Sequence, residues 1–310
     1  MLNGEKILIT GITSPVAGAL AASLTGQNEV WGIARFGGDP AIRAGLEAGG
    51  VKTVAVDIGE GDLSALPDDF TYVLHLAYFR SPEPDFERAF RVNGNGTGFV
   101  FSHCRKAKAA LYMSSHVIYS VVEDPWHPKK ETDHIGAAKP GYSQTSMISK
   151  IAGEAIARYA AREFNLPMVI ARLNAPYGLP GGLPVSNMDQ VVAGKSVFAR
   201  WDPEPYTPIH MDDMCDQLPA LLGAATVGST VVNWSGDEAV SVQQWCGYVA
   251  EWSGKHAHID VRPPAFSLKG SCADNTLRKS LTGPCRTPFK DGFHKIYQAR
   301  HGGAAGPAGA

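Results

Sequence analysis

The chain has 310 residues, 44% of them apolar and 19% charged, which is typical of a folded globular protein with one large domain or two closely associated ones. A formal net charge of −2 argues against a nucleic-acid partner, which would need a clustered basic face. Apolar runs stay shorter than the roughly 18 residues of a membrane span, so we expect no membrane partner.

Five cysteines, an odd number without Cys-x-x-Cys spacing, predict reduced thiols and a cytoplasmic location. The first predicted strand begins at Lys6, which leaves no room for a signal peptide. The histidines have neither the regular spacing nor the cysteine or carboxylate partners of a metal site. We therefore expect no bound metal.

Short apolar strands alternate with helices through the first half of the chain. Strands are predicted at 6–10, 29–34, 51–57, 72–77, 110–114 and 167–172, and helices at roughly 16–25, 86–108 and 146–164. Such alternation predicts an α/β fold with a doubly wound parallel sheet, the Rossmann arrangement, whose ligands lie at the carboxyl ends of the strands.

Proline and glycine become frequent after residue 172, which indicates a smaller, discontinuous C-terminal substrate domain. We predict a dinucleotide-binding Rossmann domain at 1–173, to which a segment at 206–234 returns. The substrate-binding domain would comprise 174–205 and 235–300. Residues 301–310, almost all Gly, Ala and Pro, would form a disordered tail.

The turn after the first strand has the position of a phosphate-binding loop. Its backbone N–H groups would face a pyrophosphate at the positive end of the following helix. Of the usual GxxGxxG spacing only Gly11 is kept, so a tight strand-to-helix turn without a ligand is the alternative. The predicted cofactor contacts of this loop are Gly11, Thr13, Ser14, Pro15 and Val16.

Further polar segments follow the loop in a fixed order. They are Asp57-Ile58, His75-Leu76-Ala77, Asn93 with Gly96-Thr97, Ser114–Tyr119, Lys150–Glu154, Arg172–Gly178 and Pro208–Asp213. From residue 6 to about 255 this series resembles the extended short-chain dehydrogenase/reductase family, also called the NAD-dependent epimerase/dehydratase family. The resemblance implies cofactor contacts from Asp57, Ile58, Leu76, Ala77, Asn93 and Lys150.

The end of the second strand bears on the choice of dinucleotide. Folds that select NAD place an acidic residue there to bind the ribose 2′-hydroxyl, whereas NADP forms need a nearby Arg. Here Ala34 and Arg35 occupy the place, and the next carboxylate is Asp39. We therefore expect NADP in preference to NAD, unless Arg35 only stacks on the adenine.

The resemblance also implies a catalytic Ser, a Tyr that acts as general acid/base, and a Lys one helical turn later that lowers the pKa of the Tyr. Ser115 and Lys150 match in context. Tyr142, however, precedes Lys150 by eight residues, about 12 Å along a helix instead of about 6 Å, and Ser146 stands four residues before Lys150.

Three explanations of this spacing stay open. Tyr142 could precede the helix and fold back beside Lys150, which gives the catalytic set Ser115, Tyr142 and Lys150. Alternatively, His116 or Tyr78 could supply the proton. In the third explanation, proton transfer is lost or is not needed.

The residues expected to bind the substrate differ from the pattern of relatives that act on sugar nucleotides. The resemblance implies that those relatives carry an Arg just before the Ile-His pair. Residues 206–208 read Tyr-Thr-Pro here, and Arg200 lies several residues earlier. Several aromatic side chains favour an apolar or non-nucleotide substrate, although each could equally be packing. The candidate substrate contacts are Tyr78, His116, Asn174, Tyr177 and Arg200.

Three functions follow from these residues. The first is an oxidoreductase that passes hydride between NADP(H) and a secondary alcohol or ketone. The second is an epimerase, dehydratase or lyase with transient oxidation, and the third is a dinucleotide-binding protein without catalysis. The resemblance also implies a homodimer that packs through the helix at 146–164. The Ala-rich face of residues 151–161 would allow close approach of two copies, but it could equally pack inside one subunit; that face comprises Ala152, Ala155, Ala157 and Ala160.

Overall fold

The computed structural model describes residues 2–136, 144–263, 265 and 267–302. The prediction for Tyr142 therefore lies outside the described residues, as does the predicted tail from residue 303 onward. The start of that tail was predicted too early, because the last helix continues to His301.

Fourteen strands are present in the described part of the chain. They are β1 (Lys6–Thr10), β2 (Glu29–Ala34), β3 (Lys52–Ala55), β4 (Tyr72–His75), β5 (Ala109–Ser115), β6 (Met168–Leu173), β7 (Pro176–Gly178), β8 (Gly181–Gly182), β9 (Val197–Ala199), β10 (Pro205–Tyr206), β11 (Ile209–His210), β12 (Thr230–Trp234), β13 (Val240–Ser241) and β14 (Ile259–Val261).

Ten α-helices accompany them in the same part of the chain. They are α1 (Pro15–Leu24), α2 (Pro40–Ala48), α3 (Phe86–Phe90), α4 (Gly96–His103), α5 (Ser146–Glu163), α6 (Leu183–Val192), α7 (Met211–Gly223), α8 (Val242–Ser253), α9 (Thr276–Thr282) and α10 (Phe289–His301). None of the described helices is both long and apolar enough to cross a membrane.

Seven parallel strands form the central sheet in the order β12-β6-β5-β4-β1-β2-β3. Strand order reverses at β1, which lies between β2 and β4. Open parallel sheets bind ligands at such a switch point, outside the carboxyl ends of the strands. The predicted doubly wound parallel sheet is confirmed, and its switch point lies beside the loop that follows β1.

The sheet is buried on both faces, which explains the continuous apolar runs of its strands. In β1, Ile7 and Ile9 pack on the face covered by α1 and α7, whereas Leu8 packs with residues of α4 and α5 on the other face. All three side chains are fully buried. This packing fixes which residues at the strand ends face the ligand edge.

One predicted helix is interrupted. Instead of a single helix at 86–108, α3 and α4 are separated by a π-helical turn at Arg91–Asn95, and α4 ends at His103. Gly96 allows the close contact of α4 with Ile58, since a Cβ there would lie 2.9 Å from the Ile58 side chain. π-turns accommodate an extra residue and often occur at functional sites.

A third apolar cluster lies outside the central sheet and includes Tyr177, Trp245, Phe289 and Phe293. Small sheets surround it, formed by β11-β7-β8, β10-β13 and β14-β9. The chain returns to the central sheet at β12, where Val232 pairs with Ala171. The domain boundaries predicted from the sequence stay a prediction.

Candidate active site

The loop after β1 runs close under the end of β4. Gly11 has φ +67°, and a Cβ at this position would lie 2.7 Å from Ala77 Cα, so only glycine fits. Ser14 caps α1 by accepting a hydrogen bond from the Ala17 N–H at 3.3 Å, and Pro15 is the first helical residue. The loop therefore presents its backbone and the amino end of α1 to a cleft.

That cleft has a volume of about 1040 Å³ and follows the carboxyl edge of the sheet. It brings together most of the predicted cofactor and catalytic residues that the structure describes. Its lining includes Gly11, Thr13, Ser14, Val16, Arg35, Asp57, Ile58, Leu76, Ala77, Tyr78, Ser115 and Lys150. Pro15 and Asn93 are not among the described residues that line it.

One end of the cleft lies at the carboxyl end of β2, where the adenosine part of a dinucleotide is expected from the sequence. Arg35 is exposed there, while Asp39 caps α2 by accepting the Ala41 N–H at 2.9 Å. Asp57 follows β3 and accepts the Gly59 N–H at 3.0 Å. Residues 34–38 contain no carboxylate, although an acidic residue that selects NAD would stand in this segment.

Lys150 lies at the opposite end of the cleft and is 4% exposed. Its Nζ donates a hydrogen bond to the Met113 carbonyl at 2.6 Å. Burial lowers the pKa of Lys150 to about 7, and the Glu154 carboxylate opposes that shift in part. The ammonium group is therefore fixed in place and close to its titration point at neutral pH.

Ser146, one turn before Lys150, begins α5 and is fully buried. The Tyr78 hydroxyl donates a hydrogen bond to Ser146 Oγ. The same phenol ring lies over Lys150, with 4.5 Å between Nζ and the ring centre, and the Tyr112 ring lies 5.2 Å from Nζ. A phenol hydroxyl thus contacts the helix position where the sequence has Ser in place of the expected Tyr.

The segment that carries Tyr78 is held by Asn93. Asn93 Oδ1 accepts the Phe79 N–H at 2.7 Å, and its Nδ2 donates to the Phe79 carbonyl at 2.9 Å and to Ser149 Oγ at 3.0 Å. The Asn93 amide thus links the loop after β4 to α5, and the cofactor contact expected of Asn93 stays a prediction.

Beneath Asn93, a buried chain of hydrogen bonds crosses the sheet edge. The Asn93 carbonyl accepts the Thr97 hydroxyl at 2.7 Å, and His75 lies between Thr97 Oγ1 at 2.9 Å and Thr10 Oγ1 at 2.7 Å. Thr10 Oγ1 also accepts the Ala77 N–H at 2.9 Å. Burial lowers the pKa of His75 to about 3, so this link is a neutral imidazole.

Ser115 ends β5 beside Lys150, and its hydroxyl accepts the Val117 N–H at 3.3 Å. Its neighbour His116 is 2% exposed and shares a hydrogen bond of 3.1 Å between Nδ1 and Ser271 Oγ. Burial, with Lys129 and Arg172 nearby, lowers the pKa of His116 well below its usual value. His116 is not among the described residues that line the cleft, and its substrate or acid role stays a prediction.

The other predicted substrate residues also lie in packed surroundings. Asn174 donates to Thr207 Oγ1 at 2.9 Å and to the Ser271 carbonyl. Tyr177 packs against His210 and Phe289 in the third apolar cluster. Neither is among the described residues that line the cleft.

Arg200 is 8% exposed and forms an ion pair with Glu204, with 2.6 Å between Arg200 Nε and Glu204 Oε1. It also donates to the Tyr206 hydroxyl. Among the described residues it does not line the cleft either. The Arg200 guanidinium is thus held in a buried ion pair, and its substrate contact stays a prediction.

Several lining residues were missed. Ala175 and Pro176 follow β6, and Ala175 has φ +38°, a conformation that no local sequence signal indicated. The Gly37-Gly38 pair after Arg35 was a usable signal of open backbone at the adenine end. The Met113 carbonyl, which accepts the hydrogen bond from Lys150 Nζ, was also missed, because this contact depends on tertiary packing alone.

Behind Ser115 and Lys150, Glu154 of α5 and Arg172 of β6 form a bidentate ion pair with both N–O distances at 3.0 Å. The two side chains are 4% and 3% exposed. Arg172 also donates to the Tyr119 hydroxyl at 3.0 Å. This pair joins the helix that carries Lys150 to the sheet.

Comparison with known proteins agrees with this architecture. The sequence model of the NAD dependent epimerase/dehydratase family matches residues 7–194, more than half of the chain. A search of curated protein sequences found no significant match.

Solved structures with the same fold cover nearly the whole chain. UDP-glucuronic acid 4-epimerase from Bacillus cereus, in complex with UDP-glucuronic acid and NAD, has a TM-score of 0.81 at 21% identity over 95% of this chain and 99% of its own. UDP-glucose 4-epimerase from Thermus thermophilus, in complex with NAD, gives 0.79 and 19% over 97% and 100%. The Bordetella bronchiseptica enzyme WbmG with NAD and UDP gives 0.80 and 21% over 96% and 95%.

Proposed function

The chain belongs to the NAD-dependent epimerase/dehydratase family, and from this premise we propose an enzyme that oxidises a secondary hydroxyl of a small molecule transiently and later returns the hydride. The family match supports this function better than the net oxidoreductase, which was our first expectation from the sequence. One observation carries the proposal: a single cleft joins the loop after β1 to Ser115 and Lys150.

The residues present fit a dinucleotide. Gly11 keeps the loop backbone close to Ala77, where a Cβ would block it, and the amino end of α1 lies beside the cleft. Gly11, Thr13, Ser14 and Val16 would hold the pyrophosphate, and Lys150 the ribose of the nicotinamide. When bound, the nicotinamide would supply a hydride acceptor and donor.

The chain's own residues bind and orient the substrate. Ser115 Oγ would hydrogen-bond the reacting hydroxyl or carbonyl oxygen, since it lies in the cleft at the end of β5. Lys150 would place its Nζ, held by the Met113 carbonyl, near that oxygen. Tyr142 stays a candidate acid/base from the sequence, outside the described residues.

For the cofactor, the solved neighbours named above contain NAD. The local residues support a preference for NADP, because Arg35 lines the cleft and residues 34–38 carry no carboxylate. We therefore include NADP preference in the proposal and test it with Arg35 variants.

For the substrate, the solved neighbours suggest UDP-sugars as the first compounds to assay. A non-nucleotide hydroxyl compound is the second candidate. Residues 206–208 favour this second candidate, because they lack the Arg expected in relatives that act on sugar nucleotides. Thr207 in this segment is 3% exposed, and its Oγ1 accepts a hydrogen bond from the Asn174 amide at 2.9 Å.

A homodimer through α5 and a cytoplasmic location also stay proposals. Tyr159 on α5 is 62% exposed, and Ile148 is 43% exposed. The predicted Ala face is divided, however, because Ala157 and Ala160 are buried within the subunit while Ala155 is exposed. Light scattering on the purified protein would test the dimer.

The test of the reaction type begins with denaturation of the purified protein and analysis of released dinucleotide. The protein is then incubated with UDP-glucuronic acid, UDP-glucose and a panel of non-nucleotide secondary alcohols. We expect an isomerised or dehydrated product with transient absorbance of reduced nicotinamide and no net redox change.

Ser115→Ala is the matched control, because it removes one hydroxyl at the end of β5 without touching the loop after β1. We expect turnover to fall about 10²-fold or more with dinucleotide affinity retained. Stoichiometric consumption of added NAD(P)H would favour the oxidoreductase, and dinucleotide binding without turnover of any compound would favour a non-catalytic protein.

A further inference from the structure

Resting on the proposed function, the geometry points to Tyr78 as the residue that exchanges the proton with the substrate hydroxyl, in place of a tyrosine on α5. Tyr78 follows β4, lines the cleft together with Ser115 and Lys150, and donates its hydroxyl to Ser146. It thus reaches from a loop to the helix position one turn before Lys150.

Contacts of the Tyr78 ring, of its hydroxyl and of the adjoining backbone hold this residue in place. Its ring lies 4.5 Å from Lys150 Nζ, its hydroxyl is bonded to Ser146 Oγ, and the next residue, Phe79, has both backbone groups bonded to Asn93. A loop residue held at three points has few alternative positions. Asn93 and Ser146 are positioning residues in this arrangement.

The charges around Tyr78 suit the exchange. The Lys150 ammonium stabilises negative charge on the nearby Tyr78 oxygen. In the resting state, Ser146 Oγ accepts the hydrogen bond from the Tyr78 hydroxyl. Tyr112, on β5, contributes a second ring beside Lys150. No other acid of this kind is needed from α5, where Ser146 itself is a poor acid/base because its pKa is too high.

The proton balance is closed. Before oxidation Tyr78 releases its phenol proton to solvent and becomes the phenolate beside Lys150. As the substrate C–H hydride leaves to the dinucleotide, the hydroxyl proton moves to this phenolate oxygen and C–O becomes C=O. When the hydride returns, Tyr78 gives the proton back and the C–OH group is restored. Neither protons nor electrons are gained or lost over the cycle.

The first test compares Tyr78→Phe with Tyr142→Phe, each of which removes one hydroxyl and keeps the ring. We expect Tyr78→Phe to lower turnover about 10²-fold or more with dinucleotide affinity unchanged, and Tyr142→Phe to retain turnover within about threefold. The reverse pattern overturns the assignment to Tyr78 and leaves the proposed function intact.

A relocation variant provides a second test. Tyr78→Ala should lose turnover, and the double variant Tyr78→Ala/Ser146→Tyr should regain at least about tenfold, because it returns a phenol to the position one turn before Lys150. Circular dichroism and dinucleotide binding establish that each variant is folded. Turnover by Tyr78→Ala at the wild-type rate overturns the proposal.

A third readout does not depend on turnover. In protein labelled with 3-fluorotyrosine, the ¹⁹F resonance of Tyr78 is assigned by its absence in Tyr78→Phe. Saturating NADPH or NADH should move this resonance and leave that of Tyr159, 62% exposed on α5, in place. If dinucleotide binds and the Tyr78 resonance does not move, the role proposed for Tyr78 is wrong, whichever reaction the enzyme catalyses.

Discussion

Lys150 and Met113 are joined by a hydrogen bond of 2.6 Å from the ammonium group to a main-chain carbonyl of β5. Because Ser115 ends the same strand two residues later, this bond ties α5 to the strand that carries Ser115. The arrangement buries a cation whose desolvation is only partly offset, and measurable consequences follow for stability.

Lys150→Met should change how stability depends on pH. The pKa of Lys150 in the folded protein is about 7, against 10.5 for an ordinary lysine, so the unfolded chain binds more protons between these values. The free energy of unfolding of the wild type therefore rises across this window by a few kcal/mol, at about 1.4 kcal/mol per pKa unit.

We expect Lys150→Met to be the more stable protein at pH 6.5 and to lose that advantage by pH 9.5, as measured by urea unfolding. Lys106→Met, at an exposed lysine paired with Asp68, serves as the control and should follow the wild type at every pH. Parallel curves for wild type and Lys150→Met would contradict the buried cation.

The ion pair between Glu154 and Arg172 should be the costliest to break among those compared here. Glu154→Gln leaves the guanidinium buried with a neutral amide in place of the carboxylate, and we expect a loss of about 3–5 kcal/mol in the free energy of unfolding. Glu47→Gln, in the exposed pair with Arg43, should cost far less, because solvent screens that pair. Equal losses in urea melts would refute the difference in burial.

Gly153→Ala should destabilise the protein although alanine favours helices. A Cβ at Gly153 would overlap the Tyr112 hydroxyl between α5 and β5, so we expect a loss of about 1–3 kcal/mol. At Gly98 in α4 the same Cβ would make an ordinary contact of 3.5 Å with Ile156. Gly98→Ala should therefore gain about 0.5–1 kcal/mol, and thermal unfolding of both variants checks the opposite signs.

Arg35→Ala should weaken binding of NADPH and spare NADH. Loss of a charge-assisted hydrogen bond to the 2′-phosphate costs about 1.5–3 kcal/mol, or roughly 10- to 100-fold in affinity. Fluorescence titration with both dinucleotides measures this ratio, and Arg105→Ala, at an exposed arginine outside the cleft lining, is the control. Equal affinity of the wild type for both dinucleotides would exclude the preference.

The fold could be predicted from the sequence because each strand is a short apolar run and the ligand edge follows from strand order. The π-helical turn could not, since Asn93-Gly94-Asn95-Gly96 signals weak helix but not an extra residue. The sequence indicated Tyr78, in the loop that follows β4, as a candidate near the site. The partner of Tyr78, Ser146, lies 68 residues away, and local sequence does not reveal such a contact.

On the substrate side, the sequence indicates the position of residues but not the direction of their side chains. Asn174 and Tyr177 follow β6, where ligand contacts are expected, yet their side chains turn inward. Asn174 is bonded to Thr207, 33 residues later in the chain. Strand-end position indicates which residues are near the site, but the direction of a side chain depends on segments that pack against it later.

The contact between Tyr78 and Ser146 also bears on how this pair of residues could have arisen. With Tyr78 in place, Ser146→Tyr alone would force two phenols into one space, and with Ser146 in place, loss of Tyr78 alone would remove the hydroxyl. The fitness effect of either substitution therefore depends on the other, so the two positions are expected to be epistatic. Divergence from an ancestor with tyrosine on the helix would have needed an intermediate that tolerated crowding or lacked the hydroxyl for a time.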